Sequence, residues 1–103
     1  MTNIDFEKFI ELSKNTNTPP NVSTALLALW YDAKNNWEKA HDLVQDPTNS
    51  KDNDIKAQCL VHAYLHRKEG DLSNAKYWYS RAGKELPKIS LEKEWLKIVQ
   101  ELI

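Results

Sequence analysis

The chain has 103 residues, 41% of them hydrophobic, with a formal net charge of −1, which is enough for one domain with a modest core and too short for two. Acidic and basic residues interleave, and the absence of a basic stripe that would gather a phosphate backbone excludes general nucleic-acid binding. The single cysteine, Cys59, excludes a disulfide framework and a multi-cysteine zinc site, and two glycines, Gly70 and Gly83, are too few for a Gly-rich phosphate loop.

In chain order, Asn3 predicts the cap of a first helix running to about Lys14, with Phe6, Phe9 and Ile10 on one face. Residues 15–20 connect it to a second helix that starts near Asn21 or Ser23 and carries Leu26, Leu29, Trp30 and Ala33. Asn35-Asn36 supplies a stop and a new cap, and a third helix from Trp37 to about Gln45 aligns Trp37, Ala40 and Val44. The polar stretch 46–54 reads as a loop; it is rich in oxygen ligands but lacks the central glycine and terminal glutamate of a calcium loop.

A fourth helix is expected over about 54–68, closed by Gly70 in the left-handed position that glycine tolerates. Asp71 caps a fifth helix, predicted to run to about Leu86 with Leu72, Ala75, Tyr79, Ala82 and Leu86 inward and Pro87 closing it. Ser90 caps the last helix, over 90–102. No segment alternates with period two for long enough to suggest a strand. The expectation is an all-α chain of about six helices in antiparallel hairpins, a single domain over 1–103.

Two segments match at an offset of 35: Trp30 to Ala40, WYDAKNNWEKA, and Leu65 to Ala75, LHRKEGDLSNA. Each runs from a helix end through a turn into an aromatic or leucine, two polar residues and alanine, the period of one helical-hairpin repeat. On these residues, with Ala63, Gly70-Asp71, Ala75, Tyr79, Ala82 and Pro87, the chain resembles the tetratricopeptide family. The repeat over 57–87 is clear; that over 24–46 is degenerate, with Val44 in place of an aromatic and Pro47 in place of an alanine.

The resemblance implies a right-handed superhelical stack that holds a protein or peptide on its concave face. Carried over position by position, the face comprises Leu29, Asp32, Leu60, Tyr64, Arg67 and Lys68, with Trp30 beside them. Trp30, Tyr64, Arg67 and Lys68 are the candidate binding surface. A groove binder predicts that Tyr64 and Arg67 are exposed and the histidines buried.

The fourth helix also carries chemistry. At about 100° per residue, Ile55, Cys59, His62, His66 and Glu69 fall in one stripe about 80° wide. His62 and His66 at i, i+4 can chelate a metal with Glu69 or Cys59 adding a ligand, or His66 and Glu69 can form an acid–base couple. The alternative is a pair of core histidines bonded to neighbours. A ten-residue stripe rises about 15 Å, so its groups cannot meet on one ion without another helix.

Two further features bear on partners. The run from Lys76 to Arg81 mixes aromatic and basic residues, but Tyr79 is committed to the core, which favours a packed hairpin with a snorkelling Arg81. In the last helix Leu91, Trp95, Ile98 and Leu102, widened by Leu96, Val99 and Ile103, make an apolar face of about 160°. That face suits either a second copy of the chain or packing under the preceding hairpin. The N-terminus lacks a secretory pattern and the longest apolar run, Ala25 to Tyr31, is seven residues, so a cytoplasmic location and no membrane partner are expected. The leading expectation is a protein-interaction module with no cofactor; the alternative is a small-ligand or metal-binding enzyme built on His62, His66 and Glu69.

Overall fold

The computed structural model describes residues 5–47 and 54–103. Among them are six α-helices and no strand: α1 (Phe6–Asn15), α2 (Thr24–Ala33), α3 (Trp37–Val44), α4 (Ile55–Glu69), α5 (Leu72–Arg81) and α6 (Leu91–Leu102). None of these helices is long and apolar enough to cross a membrane.

The helix starts follow side-chain chemistry, because the first turn of a helix leaves its N–H groups without intrahelical partners. The side chains of Asp5, Ser23, Asn36, Asp71 and Ser90 accept from the backbone N–H three residues on. Asp5 therefore caps α1, whereas Asn3, the expected cap, lies outside the described residues. α4 starts differently: the Asp54 side chain makes no cap bond and its Oδ1 instead accepts from Gln58 Nε2 at 2.7 Å.

Left-handed residues follow the ends of three helices. Gly70, at φ +90°, closes α4 while Asp71 N–H donates to the His66 carbonyl, a Schellman-type closure. Asn35, at φ +61°, makes the tight turn between α2 and α3, a conformation that asparagine tolerates better than most residues. The predicted end of α5 needs correction. The helix stops at Arg81 rather than Leu86, because Gly83 turns left-handed at φ +74° and Lys84 N–H folds back to the Tyr79 carbonyl. Pro87 also disfavours helical geometry at Leu86. Leu72, expected inward, stands 48% exposed at the first turn of α5.

The helices pack as two hairpins, α2 on α3 and α4 on α5, with α4 at the centre touching α2, α3, α5 and α6. Every residue from Gln58 to His66 is buried. Ala28, Ala40, Ala63 and Ala75 are fully buried in the same cluster as Leu29, Val61, Leu65 and Tyr79, so small side chains let the helix axes approach while large ones fill the intervening space.

α6 lies across α2 and α4. Trp95 Nε1 donates to the Leu29 carbonyl at 3.1 Å. α1 packs on α2, where Trp30 Nε1 donates to the Leu12 carbonyl at 2.9 Å, and Phe9 meets Trp95 with ring centroids 6.0 Å apart. The apolar face of α6 is used within the chain: Ile98 and Val99 are buried and Leu91, Trp95 and Leu102 are packed on the core, leaving Ile103 exposed.

Candidate metal centre

α4 presents two different polar faces. On the face beneath α6, Asp32 accepts from Tyr64 Oη at 3.1 Å and from Lys68 Nζ at 2.8 Å. Glu94 of α6 accepts from Arg67 Nη1 at 2.8 Å and from Tyr79 Oη. Both carboxylates are buried, at 3% exposure each, and each holds a cation and a phenol, so the charges and lone pairs are matched. Burial and the neighbouring carboxylate raise both phenols well above the usual tyrosine range.

This arrangement corrects the expected binding surface. Tyr64 and Trp30 are buried rather than exposed, and Arg67 is half-buried, committed to Glu94 and to the Ile89 carbonyl. The face formed by α2 and α4 is covered by α6, with α1 alongside; Arg67 is taken by Glu94 of α6, while Tyr64 and Lys68 are bonded to Asp32 of α2. Of the four candidates only Lys68 remains largely in solvent. Leu29, Asp32 and Leu60 are buried as well.

The opposite face of α4 carries the histidines. His62 and His66, one turn apart, bring their Nε2 atoms to 3.0 Å. A third ring, His41 of α3, places its Nε2 3.1 Å from His62 Nε2. All three histidines of the chain thus meet at one point, and one ligand atom from each lies within 4.8 Å of the others. His62 and His66 are 3% and 7% exposed, and His41 is half-exposed.

Neighbouring side chains fix the rings. Trp37, one turn before His41 on α3, stacks on it at 4.8 Å and 8°, and its Nε1 donates to the Leu65 carbonyl at 2.9 Å, tying α3 to α4. Trp78 of α5 stacks on His62 at 4.1 Å and 26°. Glu69 Oε2 lies 2.6 Å from His66 Nδ1. A carboxylate accepts only, so His66 carries its proton on Nδ1 and in the neutral ring leaves Nε2 as a lone pair.

Counting protons exposes a deficit. Two N···N contacts converge on His62 Nε2, and an imidazole nitrogen has either one lone pair or one proton in the ring plane. With a neutral His66, whose Nε2 offers a lone pair, a single proton on His62 Nε2 would have to serve both contacts. His62 Nδ1 is buried and makes no well-formed hydrogen bond, although the Val44 backbone accepts from the charged ring. Burial first, then the neighbouring His41 and His66, push His62 down to about 3, with only the Val44 backbone favouring the charged form. His41 is lowered too, by burial and then by His66, against the pull of Asp42 and Glu69. Near neutral pH both rings are therefore uncharged and retain a lone pair.

A cation would remove the deficit. Nitrogen donors about 2.0–2.1 Å from one ion stand roughly 2.9–3.4 Å apart for bond angles between octahedral and tetrahedral. The two observed Nε2 separations, 3.0 and 3.1 Å, fall in that range. Glu69 would then stand behind His66, the position from which a carboxylate orients a ligating imidazole and raises its basicity.

Of the stripe read from the sequence, the structure brings together His62, His66 and Glu69, with Glu69 bonded to a ring rather than aimed at the centre. It does not bring in Cys59, whose thiol is buried outside the converging set and pushed up by burial. His41 was missed by the sequence reading. The signal for it was present, since it stands one turn after Trp37 on the helix that the repeat sets beside α4. No family model matches the chain, and no curated protein or solved structure matches it. Function is therefore read from the site.

Proposed function

We propose that this chain is a metal-binding helical-hairpin protein in which His41, His62 and His66 hold one divalent first-row transition ion. The observation that carries the proposal is the meeting of three imidazoles, with Nε2 contacts of 3.0 and 3.1 Å that converge on His62. Three imidazoles with no thiolate suit zinc, copper, nickel, cobalt or iron rather than magnesium or calcium. The tetratricopeptide-like stacking of α2–α3 and α4–α5 belongs to the same proposal, supported by the Gly70-Asp71 turn and the buried Ala63, Ala75 and Tyr79.

The test is metal analysis and titration calorimetry on protein purified without a polyhistidine tag. The expected result is one ion per chain, lost in His41→Ala while the helical circular-dichroism spectrum is kept. Wild-type protein that takes up no zinc, copper, nickel or cobalt at micromolar concentrations overturns the proposal.

A protein-interaction module is a second reading, favoured by a cleft of about 390 Å³ between α1, α2, α4 and α6. Lys14 and Lys68 stand at it beside apolar walls from Ile10, Trp95 and Leu96. Its occupant in this reading is the C-terminal carboxylate of a peptide. Titrating such peptides into labelled protein should move the amide resonances of Lys14, Asn35 and Lys68, and resonances unmoved at millimolar peptide end the reading.

A further inference from the structure

We infer that the ion held by His41, His62 and His66 keeps a coordination position for an external ligand and fills it with a small anion such as hydroxide, a carboxylate or another oxyanion. The inference rests on the metal-binding proposal and goes one step further, from holding an ion to using it as a receptor.

Consider first what can complete the coordination sphere. A transition ion takes four or more ligands, and a site with three protein donors leaves at least one position to solvent or substrate. Among the described residues no fourth His, Cys, Asp or Glu ligand atom converges with the three imidazoles. Glu69 is the nearest carboxylate candidate, and its Oε2 already accepts from His66 Nδ1 at 2.6 Å. Asp71 lies near His66 and Glu69, but its Oδ1 caps α5 by accepting from Asn74 N, and its Oδ2 takes Asn74 Nδ2. Cys59, the soft ligand on the same helix, is buried outside the set.

Charge then selects the class of ligand. Three neutral imidazoles leave the ion's two positive charges uncompensated by any directly bound group. Glu69 acts through His66, and Asp42 is exposed to solvent, where water screens it. An anion completing the sphere is therefore favoured over a neutral ligand, and a bound water is acidified toward hydroxide.

Access and walls agree with this assignment. His62 and His66 are buried while His41 is half-exposed, so the approach to the centre lies on the α3 side. Trp37 and Trp78 stack on the outer faces of His41 and His62. Aromatic walls lower the local dielectric and strengthen attraction between the ion and an incoming anion. They also hold the three rings, so that ligand exchange leaves the protein donors in place.

Cobalt(II) substitution with an azide titration tests the inference. The expected result is that one equivalent of cobalt gives visible d–d bands, that azide shifts them, and that the shift saturates at one azide per cobalt. Cys59→Ser should behave identically. A spectrum unmoved by azide and by cyanide shows a closed sphere and overturns the inference. So does a near-ultraviolet thiolate-to-cobalt band in the wild type that is lost in Cys59→Ser, which would make Cys59 the fourth ligand. Protein that binds no cobalt or zinc at all is a different failure, because it overturns the metal-binding proposal itself.

Discussion

The two polar faces of α4 make an instructive pair. Beneath α6, Asp32, Lys68, Tyr64, Arg67, Glu94 and Tyr79 form pairs in which every carboxylate meets a cation and a hydroxyl. On the other face, three rings of one chemical kind press their nitrogens together with too few protons to go round, and one buried nitrogen makes no well-formed hydrogen bond. Each set has a buried heart, Asp32, Tyr64, Tyr79 and Glu94 in one and His62 and His66 in the other, and both join helices. The first is complete as it stands and explains why α6 stays where it is. The second is incomplete as it stands, which is the observation on which the proposed metal site rests.

The comparison can be broken at several points. The largest effect is expected from Arg67→Ala, which leaves Glu94 charged and buried. Denaturant unfolding should show a loss of about 3–5 kcal/mol, and a loss below about 1 kcal/mol would mean that the α6 network is ornamental. Next comes acid. His62 falls to about 3 in the folded protein, below its ordinary value near 6.5, so between those values the unfolded chain binds more protons. Metal-free protein should keep this contribution above about pH 6.5 and lose it progressively toward pH 3, by on the order of a few kcal/mol. The His62→Leu variant should show a flatter profile, and an unchanged profile would remove the physical basis for a neutral cluster.

Zinc at a hundredfold excess over its Kd should add about 2.7 kcal/mol, roughly 10–20 °C in Tm for a domain of this size, and none in His41→Ala. Glu69→Gln removes the charged acceptor from His66 while keeping an amide oxygen. It should weaken metal affinity by about 10–100-fold with little change in stability, and affinity equal to wild type would show Glu69 to be a bystander. Smallest is Tyr64→Phe, which deletes one hydrogen bond to Asp32 while Lys68 still pairs with it; about 1 kcal/mol is expected.

Much of the fold was legible because it is local. Ser23, Asp71 and Ser90 cap helices as their side chains dictate, Gly70 ends α4, and the alanines at 63, 75 and 82 with Tyr79 go inward. The end of α5 was misjudged because the apolar spacing of Ala82 and Leu86 continues the stripe, while Gly83 decides the backbone. The exposure of Tyr64 and Arg67 that a groove binder requires is missing for another reason. A repeat pattern assigns faces to hairpins, but no local rule says that α6 lies back across α2 and α4. The candidate site was half legible: spacing on α4 supplied His62, His66 and Glu69, and its length showed that another helix had to contribute. That the helix is α3 and the residue His41 follows from a contact between elements.

The stacking of Trp37 on His41 and of Trp78 on His62 has an optical consequence. Two of the four indoles of the chain lie against the rings of the centre, while Trp30 and Trp95 belong with α1, α2 and α6. A paramagnetic ion such as copper(II) among the three imidazoles would quench the first pair by electron and energy transfer across van der Waals contact and disturb the second pair less. Occupancy of the proposed centre would thus be readable in the protein's own light emission, and the chain would carry its indicator with it.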